Sequence, residues 1–316
     1  DTFTCTSTVS PVLAGKHLEL LGTPTLNFTG TGYLILTGTI TEVTYVSVAV
    51  GKATNSITVN SATGLSVGDM IAIEDDTDFS FSPTQHTTRE AYHAGDFNEI
   101  TAIAGAVITL RYPLRDGYSG AITDKVFVVN PATVKTSAFN VVSANTALYA
   151  TAFTLCRNSV FSVNSEGGSS GACAISRSWQ CVGQGGKHTH TEAASGTNYG
   201  LVIVNCQDLT INDFHTFGTR HGTATGGGAS DGSVPCRNVW IVGGSSQNGT
   251  AALHSADIHG NADLCGYLRH TTNNSFGIGG RSPSVLDCVV YANGSGAPIT
   301  WNEIMGGNRL VRNLTA

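Results

Sequence analysis

Histidines and acidic residues are concentrated in one part of the sequence, where they could carry acid–base chemistry. Seven of the ten histidines lie within residues 187–270, about a quarter of the chain. A strand period of two predicts that Ala256 and Ile258 face the core. Asp257 and His259 then share the opposite, outward face. A carboxylate and an imidazole placed in this way can share a proton, bind a metal or position a sugar hydroxyl group.

The same strand period predicts a second group of polar residues on one outward face. The strand period puts His188 and His190 together on one outward face, with Lys187 and Glu192 beside them. We therefore predict that these four side chains bind the substrate.

The spacing of these residues predicts that they stack. His190 to His221 is 31 residues and His221 to Asp257 is 36, each near the length of one long coil. Adjacent coils of stacked β-structure lie about 4.8 Å apart. We therefore expect these three positions, together with Arg220 and His259, to form one polar stripe across consecutive coils.

Such a stripe could cleave a polysaccharide by either of two reactions. A lyase needs a base to remove the proton beside a uronic carboxylate, and a cation such as Arg220 to neutralise the developing enolate. A hydrolase needs an acid and a second carboxylate. Asp257 is one candidate, and the sequence offers Glu192, Asp231 and Asp263 as second members. The residues leave the choice of reaction open.

Several polar residues also have a structural interpretation. His254 has apolar strand neighbours, so a hydrogen-bonded core position is expected for it, and His215 and His270 are likewise expected to be structural. Trp301 could bind substrate by stacking on a sugar, or pack in the interior. A divalent metal held by three histidines is left open, although the spacing matches no known chelating pattern. No other cofactor is expected.

The elements that must position these residues repeat along the chain. The phrase Cys-Gln-Asp-Leu-Thr-Ile at Cys206 returns as Cys-Arg-Asn-Val-Trp-Ile at Cys236, and an earlier copy begins at Cys156. Apart from Cys5 and Cys173, the cysteines fall at 156, 181, 206, 236, 265 and 288, so the gaps are 25, 25, 30, 29 and 23 residues. A strand that recurs at this period, with Gly-rich turns and no helical pattern between copies, predicts an all-β fold, a parallel β-helix.

One cysteine per coil predicts a ladder of buried, reduced thiols, with at least one disulfide bridge as the alternative. Asn158, Asp208 and Asn238 each stand two residues after a cysteine and predict a second ladder at a turn. Zinc is not expected, because the sequence has no Cys-x-x-Cys pair.

The N-terminal part of the chain predicts an interruption of the coils. Residues 1–54 contain short alternating segments and predict the first coils of the β-helix, whereas residues 55–131 predict an inserted small β-barrel or sandwich of five strands. Residues 132–316 predict the main parallel β-helix. The charged segment Asp75–His93, between two strands of the insert, is expected to be a solvated loop.

The composition limits the class of partner. Charged residues make up 12% of the chain and 38 positions are glycine, which suits many tight turns. A net charge of −6 argues against a nucleic-acid partner, and the absence of a run of 18 apolar residues argues against membrane insertion. The first residues lack the basic start and apolar core of a secretion signal, and the chain ends in mid-pattern, which suggests a fragment of a longer protein.

Motifs on successive predicted coils resemble a known family. They are an Arg-His motif in Phe217–Gly222, a Thr-Gly-Gly motif in Thr225–Gly227, the segment Pro235–Val239, and an Asp-x-His-Gly motif in Asp257–Gly260. Together they look like the right-handed, single-stranded parallel β-helix of bacteriophage tailspikes and related pectate-lyase-like proteins. The segment Gly64–Asp69 resembles the small β-domains that interrupt the early coils of such proteins.

The resemblance implies a homotrimeric virion tail appendage, outside the cell, that recognises and usually cleaves lipopolysaccharide O-antigen or capsule. The resemblance implies a catalytic role only for Arg220, His221, Asp257 and His259. The superfamily holds hydrolases, lyases and binders, so a non-catalytic glycan-binding tail fibre and a secreted pectinase-like enzyme are the alternatives. No segment resembles a distal trimerisation domain.

Overall fold

The computed structural model describes residues 2–29, 32–78, 92–143, 148–190, 198–226, 233–249, 254–291, 297–304 and 308–316. Over these ranges all regular elements are β-strands. No helix that is long and apolar enough to cross a membrane is found in the described part of the chain.

Most of the strands wind into a parallel β-helix, as the cysteine period predicted. One wall of the coils is a parallel sheet in which each strand pairs with the equivalent strand of the next coil. Its strands are Leu34–Thr37, Tyr149–Thr154, Gly171–Ser176, Tyr199–Val204, His221–Thr225, Ala256–Ile258, Phe276–Gly280 and Ile299–Ile304.

The remaining walls form a larger parallel sheet that bends around the coils. Its strands are Thr2–Cys5, His17–Leu20, Thr25–Phe28, Thr133–Thr136, Phe139–Ser143, Val160–Phe161, Val163–Glu166, Trp179–Thr189, Gln207–Gly218, Cys236–Val242, Ser245–Asn248, Ala262–Asp263, Gly266–Leu268, Thr271–Thr272, Ser284–Leu286, Val289–Val290 and Leu310–Arg312.

An antiparallel sheet interrupts the early coils. In spatial order its strands are Thr39–Tyr45, Asp124–Asn130, Met70–Asp78, His93–Ala104, Val107–Leu110 and Ser56–Thr58. This sheet begins before residue 55, because Thr39–Tyr45 pairs with Asp124–Asn130 and not with a coil. The domain boundaries at 54/55 and 131/132 stay predictions.

The expected solvated loop Asp75–His93 is wrong at its first residues. Asp75 lies in the strand Met70–Asp78 and is buried, because this strand is longer than its apolar run. Residues 79–91 of the expected loop lie outside the described residues.

The interior of the coils contains the predicted thiol ladder. The Sγ of Cys181 donates to the Cys156 carbonyl at 3.6 Å, and the Sγ of Cys265 donates to the Cys236 carbonyl at 3.4 Å. Burial raises the pKa of Cys181 to about 12. The ladder is therefore a reduced one, and its six members are buried and unbridged: Cys156, Cys181, Cys206, Cys236, Cys265 and Cys288.

The second predicted ladder lies at the turn that follows these cysteines. Asn158, Asp208 and Asn238 have φ angles of 51°, 52° and 53°, in the left-handed region that asparagine and aspartate tolerate. Asn238 Nδ2 donates to Asp208 Oδ1 at 2.8 Å, and Trp179 Nε1 donates to Asp208 Oδ2 at 3.0 Å. The side chains therefore link neighbouring coils, as predicted.

A buried arginine joins the antiparallel sheet to the β-helix. The side chain of Arg237, on the strand Cys236–Val242, is 2% exposed. Its Nη1 donates to the Gly95 carbonyl at 2.9 Å and to Asp96 Oδ1 at 3.2 Å, and its Nη2 donates to Asp116. Both carboxylates belong to the inserted segment. A buried cation with several acceptors is stable only while those acceptors stay in place.

Candidate functional site

Four of the predicted site residues lie together where two strands of the eight-stranded wall meet. Ala224 and Asp257 are paired positions on adjacent strands, so the residues that flank them are neighbours. Asp257 Oδ2 lies 3.5 Å from His221 Nε2 and 3.4 Å from His259 Nε2. Arg220 Nε donates to His221 Nε2 at 3.1 Å. We call Arg220, His221, Asp257 and His259 the acid–base cluster.

The hydrogen bonds of His221 define its protonation state. Its Nδ1 lies 2.5 Å from the His254 carbonyl, to which it can only donate, and its Nε2 accepts from Arg220. The tautomer that satisfies both bonds is the neutral one with the proton on Nδ1. Burial lowers the pKa of His221, although the charge of Asp257 opposes the shift. His221 therefore carries an Nε2 lone pair that can accept a proton at neutral pH.

Tyr199 supports the cluster from the preceding coil. It is the register partner of His221, 22 residues earlier in the chain, and the two rings stack with centroids 5.5 Å apart. The Arg220 guanidinium carbon lies 5.8 Å from the centre of the Tyr199 ring. Sequence reasoning missed this residue, although its distance of one coil from His221 was a usable signal.

His254 is only partly buried, and the prediction of a core position is wrong. Its Nδ1 lies 2.9 Å from Ser275 Oγ, and its ring lies beside the acid–base cluster. The reason is Gly277, the register partner of Asp257 on the next coil. A Cβ on Gly277 would come within 2.4 Å of Asp257 Oδ1 and within 2.4 Å of His254 Cδ2. The missing side chain therefore makes room for both residues.

The predicted outward face of His188 and His190 is wrong, because both side chains are 0% exposed. The His188 ring packs against Phe214 with centroids 4.7 Å apart, and neither of its nitrogens has a hydrogen-bond partner among the described residues. Burial lowers the pKa of His188 to about 3. These two histidines therefore lie inside the coils, and His190 does not join the outward stripe.

The phase of the strand reverses at Gly185, which explains this error. Before Gly185 the odd positions of Trp179–Thr189 are buried, including Cys181, and after it the even positions are buried. Gly185 has φ +58°, a left-handed conformation that turns the backbone without a Cβ penalty. The strict alternation of inward and outward side chains, on which the prediction was based, does not continue through such a turn.

Lys187 is exposed, as predicted, and lies in a groove on the larger sheet. Two cavities of about 500 and 210 Å³ share Lys187 and Thr189, so they form one continuous depression. It follows two rows of outward positions that run along the β-helix axis. One row is Thr25, Asn140, Asn164, Lys187, His215 and Ser245, and the other is Val142, Glu166, Thr189, Phe217 and Gln247. We call this depression the two-row groove.

The polar side chains of the two-row groove are held by bonds between coils. Asn164 Nδ2 donates to Asn140 Oδ1 at 2.9 Å, and the His215 Nδ1 and Ser245 Oγ atoms are 3.0 Å apart. His215 is exposed here, so the expectation that it is structural is wrong. His270 is structural, as expected: it is buried, and its Nδ1 lies 2.6 Å from the Gly243 carbonyl.

The other predicted residues lie apart from the acid–base cluster or outside the described residues. Asp263 is not a second carboxylate beside Asp257, because its Oδ2 lies 2.9 Å from Arg281 Nη2. Trp301 is 39% exposed, next to the register partner of Gly277, and so two coils beyond Asp257. Glu192 and Asp231 lie outside the described residues.

Within the described ranges, no three His, Cys, Asp or Glu side chains are arranged to hold a metal ion.

Comparison with known proteins identifies the type of β-helix. Residues 166–316 match the family described as Gp49, pectin lyase-like. No curated protein matches the chain. Among solved structures, the Gp54 tailspike of Acinetobacter baumannii bacteriophage AP22, in complex with capsular saccharide, is 24% identical with a TM-score of 0.88. The match covers 99% of this chain and 51% of that tailspike.

Two further tailspikes match over nearly the whole chain. The gp49 tailspike of Pseudomonas phage LKA1 is 24% identical with a TM-score of 0.79, and the match covers 99% of this chain and 53% of that one. The gp61 tailspike of Pseudomonas phage phi297 is 19% identical with a TM-score of 0.75, covering 96% and 52%. The chain thus spans about half the length of these tailspikes. Residues 166–316 thus resemble the Gp49, pectin lyase-like family, and the whole chain has a parallel β-helix fold similar to that of these phage tailspikes.

Proposed function

We propose that this chain is the β-helical part of a phage tailspike that binds and cleaves a bacterial surface polysaccharide, either capsule or lipopolysaccharide O-antigen. The observation that carries the proposal is the contact of Asp257 Oδ2 with two imidazoles, at 3.5 and 3.4 Å, beside the Arg220 guanidinium. Acid, base and cation are thereby present in one partly buried site. The match to a tailspike solved with capsular saccharide supports the substrate class.

The composition of the acid–base cluster favours β-elimination over hydrolysis. Hydrolysis uses two carboxyl groups about 5 to 9.5 Å apart. Asp257 is the one carboxylate among the described residues of the cluster, and Asp263 is paired with Arg281 elsewhere. Elimination needs a base and a cation, which the cluster contains.

In the proposed reaction each group has one task. The Arg220 guanidinium turns from His221 to the uronic carboxylate and stabilises the enolate that forms. His221 Nε2 takes the proton from the carbon beside that carboxylate, and Asp257 stabilises the resulting imidazolium. The electron pair of the broken C–H bond forms the new C=C bond as the glycosidic C–O bond breaks. His259 protonates the leaving oxygen, so charge and atoms balance.

The two-row groove is the proposed path of the polysaccharide chain. Its Phe217 is three residues before Arg220, so the groove reaches the corner at which the acid–base cluster begins. Lys187 supplies positive charge and hydrogen-bond donors along the path, and His215 supplies a polar ring, as saccharide recognition requires. Trp301 stays a prediction as a sugar-binding residue, because its register partner is the buried Ile278 and the Arg309 guanidinium carbon lies 5.2 Å from the centre of its ring.

The tailspike fold also bears on assembly and location. We propose that the full-length protein is a homotrimer on the virion tail, outside the cell. Light scattering coupled to size-exclusion chromatography would measure the mass of the assembly, and a monomer of the full-length protein would contradict this part.

The cleavage reaction is tested with purified protein and a panel of capsular polysaccharides and lipopolysaccharides. Elimination predicts shorter chains and new ultraviolet absorbance from the conjugated C=C bond. Shortening without that absorbance would indicate a hydrolase, and binding without shortening would indicate a glycan-binding fibre. Cleavage of pectin alone would indicate the secreted pectinase. Asp257→Asn is expected to lower the rate by about a hundredfold or more with an unchanged circular dichroism spectrum.

A further inference from the structure

A second polar cavity lies on another part of the molecule, between the inserted antiparallel sheet and the β-helix. Its volume is about 260 Å³. The insert contributes Tyr112 and Arg115 to its wall, and the β-helix contributes Trp179 and Gln180. Trp179 begins the strand that ends at Thr189 in the two-row groove, so the two depressions lie at opposite ends of one strand. We call this cavity the interdomain cleft.

One wall of the interdomain cleft is aromatic and firmly supported. The Tyr112 ring is 42% exposed and packs edge-on against Trp179, with centroids 5.8 Å apart and an angle of 86° between the planes. Phe97 stacks behind Trp179 with centroids 6.3 Å apart. Gln180 Nε2 donates to the Tyr112 hydroxyl at 3.3 Å. A fixed aromatic ring with one open face and an adjacent amide is a platform for the apolar face of a sugar.

The carboxylates of the interdomain cleft are already occupied. Asp96 accepts from the Arg115 backbone N–H at 3.0 Å, from the Tyr118 hydroxyl at 2.8 Å and from Arg237 at 3.2 Å. Asp208 accepts from Trp179 Nε1 at 3.0 Å and from an amide of the next coil at 2.8 Å. The oxygens of these two carboxylates are therefore not free to accept hydrogen bonds from a ligand.

The positive charge at the mouth of the cleft is available. The Arg115 side chain is exposed and forms no ion pair with any residue in the described part of the chain. Arg237, the other arginine of the lining, is 2% exposed and bonded to two carboxylates of the insert. A carboxylate that enters the cleft would therefore meet Arg115, which can bind it through two parallel N–H donors.

We infer that the interdomain cleft is a second saccharide-binding site, specific for an acidic sugar unit whose ring packs on Tyr112 and whose carboxylate pairs with Arg115. The inference rests on the proposed function only for the source of that sugar, a surface polysaccharide. A site remote from the acid–base cluster would hold the polymer without cleaving it, and it would raise affinity because two linked contacts bind more tightly than one.

The test uses the three tryptophans of the chain as reporters. Protein labelled with 5-fluorotryptophan is titrated with D-glucuronate and, separately, with D-glucose, up to about 100 mM, which suits a millimolar site. Glucuronate is expected to shift the ¹⁹F signal of Trp179, assigned from Trp179→Phe, and glucose is expected to leave it in place. Arg115→Gln should weaken the response by about tenfold or more. Lys16→Gln, which removes an exposed cation of the first coils, should not change it.

Three results would overturn the inference: no shift of the Trp179 signal with glucuronate, an equal shift with glucose, or an unchanged response in Arg115→Gln. Asp257→Asn separates this inference from the proposed function. That variant should lose cleavage and keep the Trp179 response, whereas Arg115→Gln should keep the rate of cleavage of short fragments and lose affinity for the long polymer. In Asp257→Asn, loss of cleavage with an intact Trp179 response would therefore support both claims.

Discussion

Asp257 and Gly277 are register partners on adjacent coils, and a Cβ on the glycine would lie 2.4 Å from the Asp257 Oδ1 atom. Gly277→Ala is therefore expected to displace both Asp257 and His254 and to abolish polysaccharide cleavage. The cost in stability should be about 1 to 3 kcal/mol, as for overpacked sites. Activity and thermal midpoint would be measured on the same preparation. Gly51→Ala, where a Cβ would meet nothing within 4 Å, is the matched control. Full activity in Gly277→Ala would show that a side chain at this position does not displace Asp257 and His254.

The acid limb of the pH–rate profile should report His221. Burial lowers its pKa from the ordinary 6.5, and its neutral form is the proposed base. As the pH is lowered from 7, the rate of cleavage should therefore begin to fall through loss of the base only at pH values below 6.5. Initial rates in overlapping buffers give this profile. A rate that falls already between pH 8 and pH 6.5 would exclude His221 as the base.

Arg220 is expected to tolerate lysine poorly. Lysine keeps the charge, but it lacks the Nε–H that donates to His221 and the planar fork that binds a carboxylate. Arg220→Lys should lower kcat/KM by about tenfold or more, with most of the loss in kcat. Steady-state kinetics on a uronic-acid polymer cleaved by the wild type would show it. A lysine variant with wild-type kinetics would indicate that only the charge matters.

The two-row groove should affect binding rather than the chemical step. Lys187→Ala and His215→Ala remove exposed side chains that line the two-row groove. KM for a long polysaccharide is expected to rise by about tenfold while kcat stays the same, because uniform binding is lost. Kinetics on long and short fragments provide the comparison, since the loss should shrink when the substrate no longer fills the groove. Unchanged KM for both variants would place the polymer elsewhere.

His188 should make the fold sensitive to acid. Its folded pKa is about 3, below the unfolded value of 6.5, so the unfolded chain takes up the proton first. The stability contributed by the neutral ring is complete above pH 6.5 and is lost as pH falls toward 3, by at most about 1.4 kcal/mol per pH unit. His188→Leu should flatten the dependence of the thermal midpoint on pH without destabilising the protein at pH 7, because the ring makes no hydrogen bond.

His270 provides the contrast for that experiment. Its pKa is lowered to about 4 by burial, but its Nδ1 and Nε2 atoms lie 2.6 and 2.8 Å from the Gly243 carbonyl and the Ser246 hydroxyl. His270→Leu should therefore destabilise the protein already at pH 7, since it leaves buried polar groups unpaired. Equal behaviour of the two variants would contradict this account of His188.

Features that repeat with the coils could be predicted from the sequence. The cysteines at 23- to 30-residue intervals and Asp208 with Asn238 mark the same structural position in each coil, so spacing alone predicted their stacking. The contact of His221 with Asp257 followed from the same spacing. These predictions succeeded because parallel stacking converts a period in the sequence into proximity in space.

Features that depend on one local backbone turn could not be predicted in this way. Gly185 reverses the strand phase and buries His188, and Asp213, with φ +55°, does the same on the next coil and exposes His215. Gly277 matters through the side chain it lacks, which no period reveals. From the sequence, Arg237 has the pattern of an ordinary exposed residue of a repeat. Its acceptors could not be predicted, because they are about 120 to 140 positions away in the insert.

The Arg237 contacts make the antiparallel sheet and the coils thermodynamically inseparable. Replacing either acidic residue of the insert with alanine would leave the buried guanidinium without one of its acceptors, at a cost of about 3 to 5 kcal/mol. Exchange of such inserts between relatives would succeed only if the donor segment brought its own pair of acidic residues.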